Sequence, residues 1–239
     1  DWDASDGWQQ RLAAQLLPLI WKLYLDCDGL KNSLTDLGLS PEKIEEFLEV
    51  AIKATIPNPT QPGPANFKVT RSDFAELLAL ICLENLCSTC IPANNIFHRE
   101  LTQSVSKGID ILGYENTGNL ALIICEAKGS SDQNSPPGVV EAGEDCLKKQ
   151  LFSYVTDKKK TLNRIINLHK KSPPEHKLIL AKLALLWGRS SPELKVVIVP
   201  FLVRQANVYQ DTDFGCFKSQ PAEFAPAKIR FFVVCVHED

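Results

Sequence analysis

Residues 108–129 read G-I-D-I-L-G-Y-E-N-T-G-N-L-A-L-I-I-C-E-A-K-G. Two apolar runs flank a Glu-Asn-Thr-Gly turn, which predicts a β-hairpin with strands over 109–114 and 119–128 and a turn at 115–118. The charged residues inside those strands are Asp110, Glu126 and Lys128. Side chains alternate along a strand, so Glu126 and Lys128 share a face while Ala127 points the other way. Two carboxylates and an amine at the end of a buried hairpin are costly to hold without a partner, and a divalent cation is the natural one.

The register is awkward. A turn centred on Asn116-Thr117 sets Asp110 opposite Ile123, three residues short of Glu126. At about 3.3 Å per residue that is roughly 10 Å along the strand. The strands must then splay or bulge for both acids to hold one ion. The other reading puts Asp110 and Glu126 at opposite solvated ends.

Outward from the hairpin, the chain of 239 residues is long enough for one large domain or a domain with an appendage. Its 44% hydrophobic content argues against disorder. The net charge of -3 points to no partner, but its distribution does. Residues 1–60 carry five Lys/Arg against ten Asp/Glu, and residues 141–189 carry eleven against five. The later, basic segment suits an anionic ligand. No apolar run spans a bilayer, since Lys182 interrupts the nearest candidate at 178–187, and no secretory signal is visible. The eight cysteines form no disulfide framework and read as buried thiols of a reducing, cytoplasmic setting.

Residues 1–56 form an acidic helical region. A helix over 9–24 carries Leu12, Leu16, Leu19, Ile20 and Leu23 at helical spacing. Ser40-Pro41 opens a second, with Ile44, Phe47, Leu48, Ala51 and Ile52 on one face. This region reads as a packing appendage, with partner docking as the alternative. Prolines 57, 59, 62 and 64 make 57–66 a linker or loop, and 67–239 is the main domain. Thr70 or Ser72 caps the next helix, which carries Phe74, Leu77, Leu78, Ile81 and Leu83 together with Glu76. Glu76 has two readings, complementarity to the helix dipole or a part in the site.

A strand over 96–104 precedes the hairpin. A Ser/Asp/Asn/Pro/Gly loop over 129–138 reads as mobile. One long helix follows over 141–169, then an apolar helix at 178–187 and buried strands at 196–203 and 229–236.

Asp110 followed by Glu126-Ala127-Lys128 resembles the PD-(D/E)xK nuclease superfamily. That resemblance implies an α/β, restriction-endonuclease-like core: a helix, an antiparallel three-strand meander, a helix and further strands. It implies that Asp110 and Glu126 bind Mg²⁺, for which Mn²⁺ can substitute, and that the carbonyl of Ala127 helps. It implies that Lys128 orients the attacking water and that Glu76 joins the metal shell. The chemistry agrees: carboxylate oxygens suit Mg²⁺, and a metal lowers the pKa of water beside an anionic phosphodiester. Gln150 and Tyr154, spaced Q-x-x-x-Y on one helical face, resemble the RecB-like branch, where such residues support the site or touch the strand. Lys158, Lys159, Lys160 and Arg164 continue that segment and supply charge for phosphates, or else a solvated helix end.

More narrowly, T-R-S-D-F-A-E, then G-I-D-I and E-A-K, resembles HamA, the nuclease subunit of Hachiman anti-phage defence, over roughly 66–205. This implies DNA as substrate and a helicase partner, HamB. The alternative is a catalytically silent nuclease-fold subunit that binds nucleic acid or a partner protein. Cys82, Cys87 and Cys90 lack a fourth cysteine for an iron–sulfur cluster and read as core thiols. The four histidines show no zinc spacing.

Overall fold

The computed structural model describes residues 14–16, 18–19, 25–55, 64–93 and 109–236, with the backbone alone for 64–72. The anticipated strand at 96–104 lies outside the described residues, as does most of the anticipated helix at 9–24. Within that helix Leu16 is buried.

The N-terminal region is helical. Helix α1 (Cys27–Asp36) starts on Asp26, whose carboxylate accepts the Gly29 N–H at 3.2 Å. Helix α2 (Pro41–Thr55) begins on a proline, whose missing N–H costs nothing there, and buries Ile44. Helix α3 spans Pro64–Cys87. It starts six residues ahead of Thr70, so Thr70 and Ser72 lie inside it rather than at its start; the proline-rich stretch itself supplies the first helical residue.

The hairpin pairs β1 (Ile111–Glu115) with β2 (Ala121–Ser130), antiparallel, from Ile111 opposite Cys125 to Glu115 opposite Ala121. The connection therefore runs over 116–120, centred on Gly118, which takes φ +100°. That is a longer loop than the Glu-Asn-Thr-Gly turn implies, and it moves every partner along. Continuing the ladder past Ile111–Cys125 sets Asp110 beside Glu126 rather than Ile123. No splay or bulge is needed. At Gly113 a Cβ would stand 2.7 Å from the Cys90 carbonyl, and the absent side chain lets Cys90 pair with Tyr114 through two backbone hydrogen bonds.

After β2 the chain forms α4 (Gly138–Glu141), α5 (Leu147–Thr156), α6 (Lys158–Lys171) and α7 (Pro174–Gly188). The single helix anticipated over 141–169 is thus two, α5 and α6, preceded by an irregular turn over 142–146. Asp157 breaks it: its backbone leaves the helical region, and its carboxylate accepts the Lys160 N–H at 2.9 Å, restarting the chain as α6. The helices carry the chain over the sheet, so β3 (Lys195–Gln205) returns parallel to β2, with Glu126 level with Pro200 and Lys128 with Leu202. Short turns at Ala206–Val208, Asp211–Phe214, α8 (Cys216–Ser219) and Pro221–Phe224 lead to the last strands. These are β4 (Lys228–Ile229) and β5 (Phe232–Val236), both parallel to β3. One strand was anticipated over 229–236. Arg230 and Phe231 interrupt it, where the Arg230 guanidinium turns to grip the Glu115 carboxylate at 2.5 and 3.2 Å.

Among the described residues the sheet has five strands, and it is sandwiched. One face, with Leu112, Leu122, Ile124, Ile198 and Leu202, packs on Leu147, Leu151 and Tyr154 of α5, Ile165 of α6, and Leu180 and Leu183 of α7. The other, with Ile111, Ile123, Cys125, Ala127, Val199 and Phe201, packs on Ala75, Leu78 and Leu83 of α3. Both faces of β2 are buried, which is why its sequence is a continuous apolar run. Among the described residues no helix is long and apolar enough to cross a membrane.

Candidate active site

Alternation along β1 and β2 decides which side chains meet. Leu112 and Tyr114, Leu122 and Ile124 face the α5–α7 layer. Asp110, Glu126 and Lys128 have the same parity and face that layer too, while Ala127 packs among the residues facing α3. The polar cluster replaces the apolar core at the C-terminal end of β2.

Asp110 is 8% exposed, and its Oδ2 accepts the Ala127 backbone N–H at 2.9 Å. It extends the hairpin ladder by one side-chain rung. Glu126 is fully buried, and among the described residues neither carboxylate oxygen receives a hydrogen bond from any donor. What faces it is the Asp110 carboxyl. Burial first, then the charge of Asp110, pushes the Glu126 carboxyl well above the ordinary carboxylate range; Lys128 opposes this and Glu76 adds to it.

Lys128 is two residues further on the same face. Burial pulls its ammonium down, but the hydrogen bond to Asp145 and the charges of Asp110, Glu126 and Asp145 outweigh it, and the net shift is upward. Lys128 is therefore a cation at neutral pH. Its Nζ lies 2.9 Å from Asp145 Oδ2. Nothing in the sequence motif singles out Asp145, which sits in the irregular turn before α5.

Glu76 is buried on α3, in the opposite layer, and its charge reaches Glu126 and Cys125. Among the described residues no three His, Cys, Asp or Glu side chains are arranged as a ready metal set. Two carboxylates are nonetheless enough for Mg²⁺, which keeps most of its water. The orphaned, buried Glu126 oxygens beside Asp110 fit such a cation. Cys125 is wholly buried, and burial with the neighbouring acids pushes its thiol far up, so it is no nucleophile.

Tyr154, from α5, is buried. Burial pushes its phenol up, Glu126 and Asp110 push it further, and Arg164 pulls it down. It thus sits between the acid pair and the basic helix. Gln150 is one turn earlier and half-buried. The Lys160 ammonium lies 4.0 Å from the centre of the Tyr154 ring and 2.8 Å from Ser153 Oγ. Lys158 departs from this group: its ammonium bonds Ser190 Oγ at the end of α7, and its carbonyl accepts the Trp187 indole N–H at 3.0 Å. Lys159 is exposed. The basic run is therefore split, with Lys160 and Arg164 turned to Tyr154 and Lys158 away from it.

Sequence reasoning also passed over a clamp behind the site. Arg204, at the end of β3, is fully buried and donates from Nε to Asp213 at 2.9 Å. Its other nitrogens reach the carbonyls of Asp132, Asn134 and Val208. Ser135 Oγ adds a bond to Asp213 at 2.6 Å. The loop at 129–138, read from composition as mobile, is fastened here, and Asp132 accepts the N–H groups of Asn134 and Gly138 at 3.0 Å each. An arginine closing an apolar strand was the available signal.

No curated protein and no solved structure matches the chain. A family model does, that of HamA, over residues 27–237, which takes in α1 through β5 and every site residue above. The match covers most of the length, so the chain belongs to the HamA family of Hachiman defence proteins.

Proposed function

We propose that the protein is a Mg²⁺-dependent DNA nuclease of the PD-(D/E)xK superfamily, acting in Hachiman anti-phage defence under the control of a HamB-like helicase. The observation that carries this reading is the buried Glu126 carboxylate, without a donor, beside Asp110 and Lys128. Native proteins rarely leave such a group unpaired without a role for it.

Asp110, Glu126 and the Ala127 carbonyl would hold the ion, with Glu76 contributing charge from α3. When bound, Mg²⁺ would acidify a water and offset the charge that builds on the phosphorus oxygens. Lys128 donates hydrogen bonds that orient the attacking water and an oxygen of the phosphate. Tyr154 and Gln150 hold the wall of the site on α5. Lys160 and Arg164 receive the nucleic acid backbone, a role that Lys159 shares from the exposed side of α6 and that Lys158, bound to Ser190, does not. The cytoplasm, where all eight free cysteines stay reduced, is the compartment of action.

The test is plasmid DNA, with RNA in parallel, incubated with wild type and Lys128→Ala in Mg²⁺ or EDTA, with and without the co-expressed helicase. Mg²⁺-dependent nicking by wild type that Lys128→Ala abolishes supports the reading. No cleavage under any of these conditions, the helicase included, overturns it.

A further inference from the structure

We propose that Asp145 is a positioning residue for Lys128, fixing the ammonium at the mouth of the site so that its remaining N–H groups face the reacting atoms. This rests on the nuclease reading above.

The geometry begins with what Lys128 does not do. It lies on the same face as Glu126, two residues away, yet no hydrogen bond joins them, and both Glu126 oxygens stay without a donor. Its Nζ instead meets Asp145 at 2.9 Å. An ammonium carries three donors, so one committed to Asp145 leaves two. A four-carbon stem carries much rotamer freedom, and a fixed acceptor on the outer side removes it.

Asp145 is suited to this. The Lys128 side chain is 19% exposed and that of Asp145 is 72% exposed, so the pair marks the boundary between site and solvent. The neighbouring cations do not compete for Asp145. Lys148 pairs with Glu223 at 3.0 Å, and Lys149 pairs with Glu144 at 2.8 Å. Asp145 stands just before α5, which carries Gln150 and Tyr154. The ion pair therefore ties the end of β2 to the helix that walls the site. An exposed pair contributes little to stability, so its value would lie in geometry.

Two readouts test this. In the metal-free protein, acylation of Lys128 by an amine-reactive reagent, followed by mass spectrometry, should rise several-fold in Asp145→Ala and stay near wild type in Asp145→Glu. In Mg²⁺-dependent cleavage, Asp145→Ala should lower kcat about ten- to a hundredfold with KM little changed. Asp145→Asn should fall between, and Asp145→Glu should recover part of the rate. In a Lys128→Ala background, Asp145→Ala should change nothing further. Unchanged labelling, an unchanged or raised kcat, or a loss confined to KM overturns the proposal. A wild type without metal-dependent cleavage overturns the nuclease reading and the role of Asp145 with it, while the labelling still reports whether the pair exists.

Discussion

The Asp110 carboxylate accepts the backbone N–H of Ala127 at 2.9 Å, and this bond sets the acid beside Glu126, whose ionisation it opposes. The same rung that fixes Asp110 on β2 sets it beside Glu126. Two like charges in a buried site raise each other's cost of ionisation, and no donor relieves Glu126. The protein carries this cost in its folded state.

Replacing Glu126 with Gln should stabilise the metal-free protein at pH 8 while abolishing cleavage. The amide supplies donors to Asp110 and removes a buried carboxylate that has none. The gain should be about 1 to 3 kcal/mol. Thermal melting beside the plasmid assay checks both halves, and a less stable variant would contradict the account.

The stability of the metal-free protein should also fall as pH rises. The Glu126 carboxyl has a folded-state pKa well above 4.5, so the folded state holds its proton over a range where the unfolded chain has lost it. Its contribution is full below the unfolded value and is lost progressively above it, up to the folded value. Mg²⁺ or Mn²⁺, which bind the ionised form, should therefore raise the melting temperature more at pH 8 than at pH 5. Glu126→Gln should remove both trends in a melting series.

Arg204→Met should destabilise the fold by about 3 to 5 kcal/mol, because it leaves the wholly buried Asp213 carboxylate without its guanidinium. The melting temperature should drop by about 10 °C. Hydrogen exchange should quicken over 130–137, the loop that Arg204 fastens. A variant that melts like wild type would show that the clamp carries no net stability.

The basic helix should behave as two halves. Lys160→Ala and Arg164→Ala should each weaken DNA binding and reduce the slope of log K against log salt by about 1. Lys158→Ala should leave both unchanged, since its ammonium is held by Ser190 on the far side of α6. Titrations at several salt concentrations decide it, and equal effects at all three positions would refute the division.

The sequence alone determined the hairpin, its charged residues and their shared face, because strand alternation is a local property of the backbone. It also determined α3, the apolar helix α7 and the two-sided burial of β2 and β3, since continuous apolar runs have nowhere else to go. T-R-S-D-F-A-E, then G-I-D-I and E-A-K, pointed to the family that the chain belongs to.

Tertiary structure decided the rest. The loop at 116–120 set the register, and three residues of slip separate Asp110 beside Glu126 from Asp110 opposite Ile123; propensity does not resolve that difference. The Asp157 carboxylate accepts the Lys160 N–H and so breaks a helix that periodicity reads as continuous. Asp145 and Arg204 found Lys128 and Asp213 across folds of chain that no local pattern encodes. Local spacing states which residues share a face, but only the packed sheet and its helices determine which faces meet.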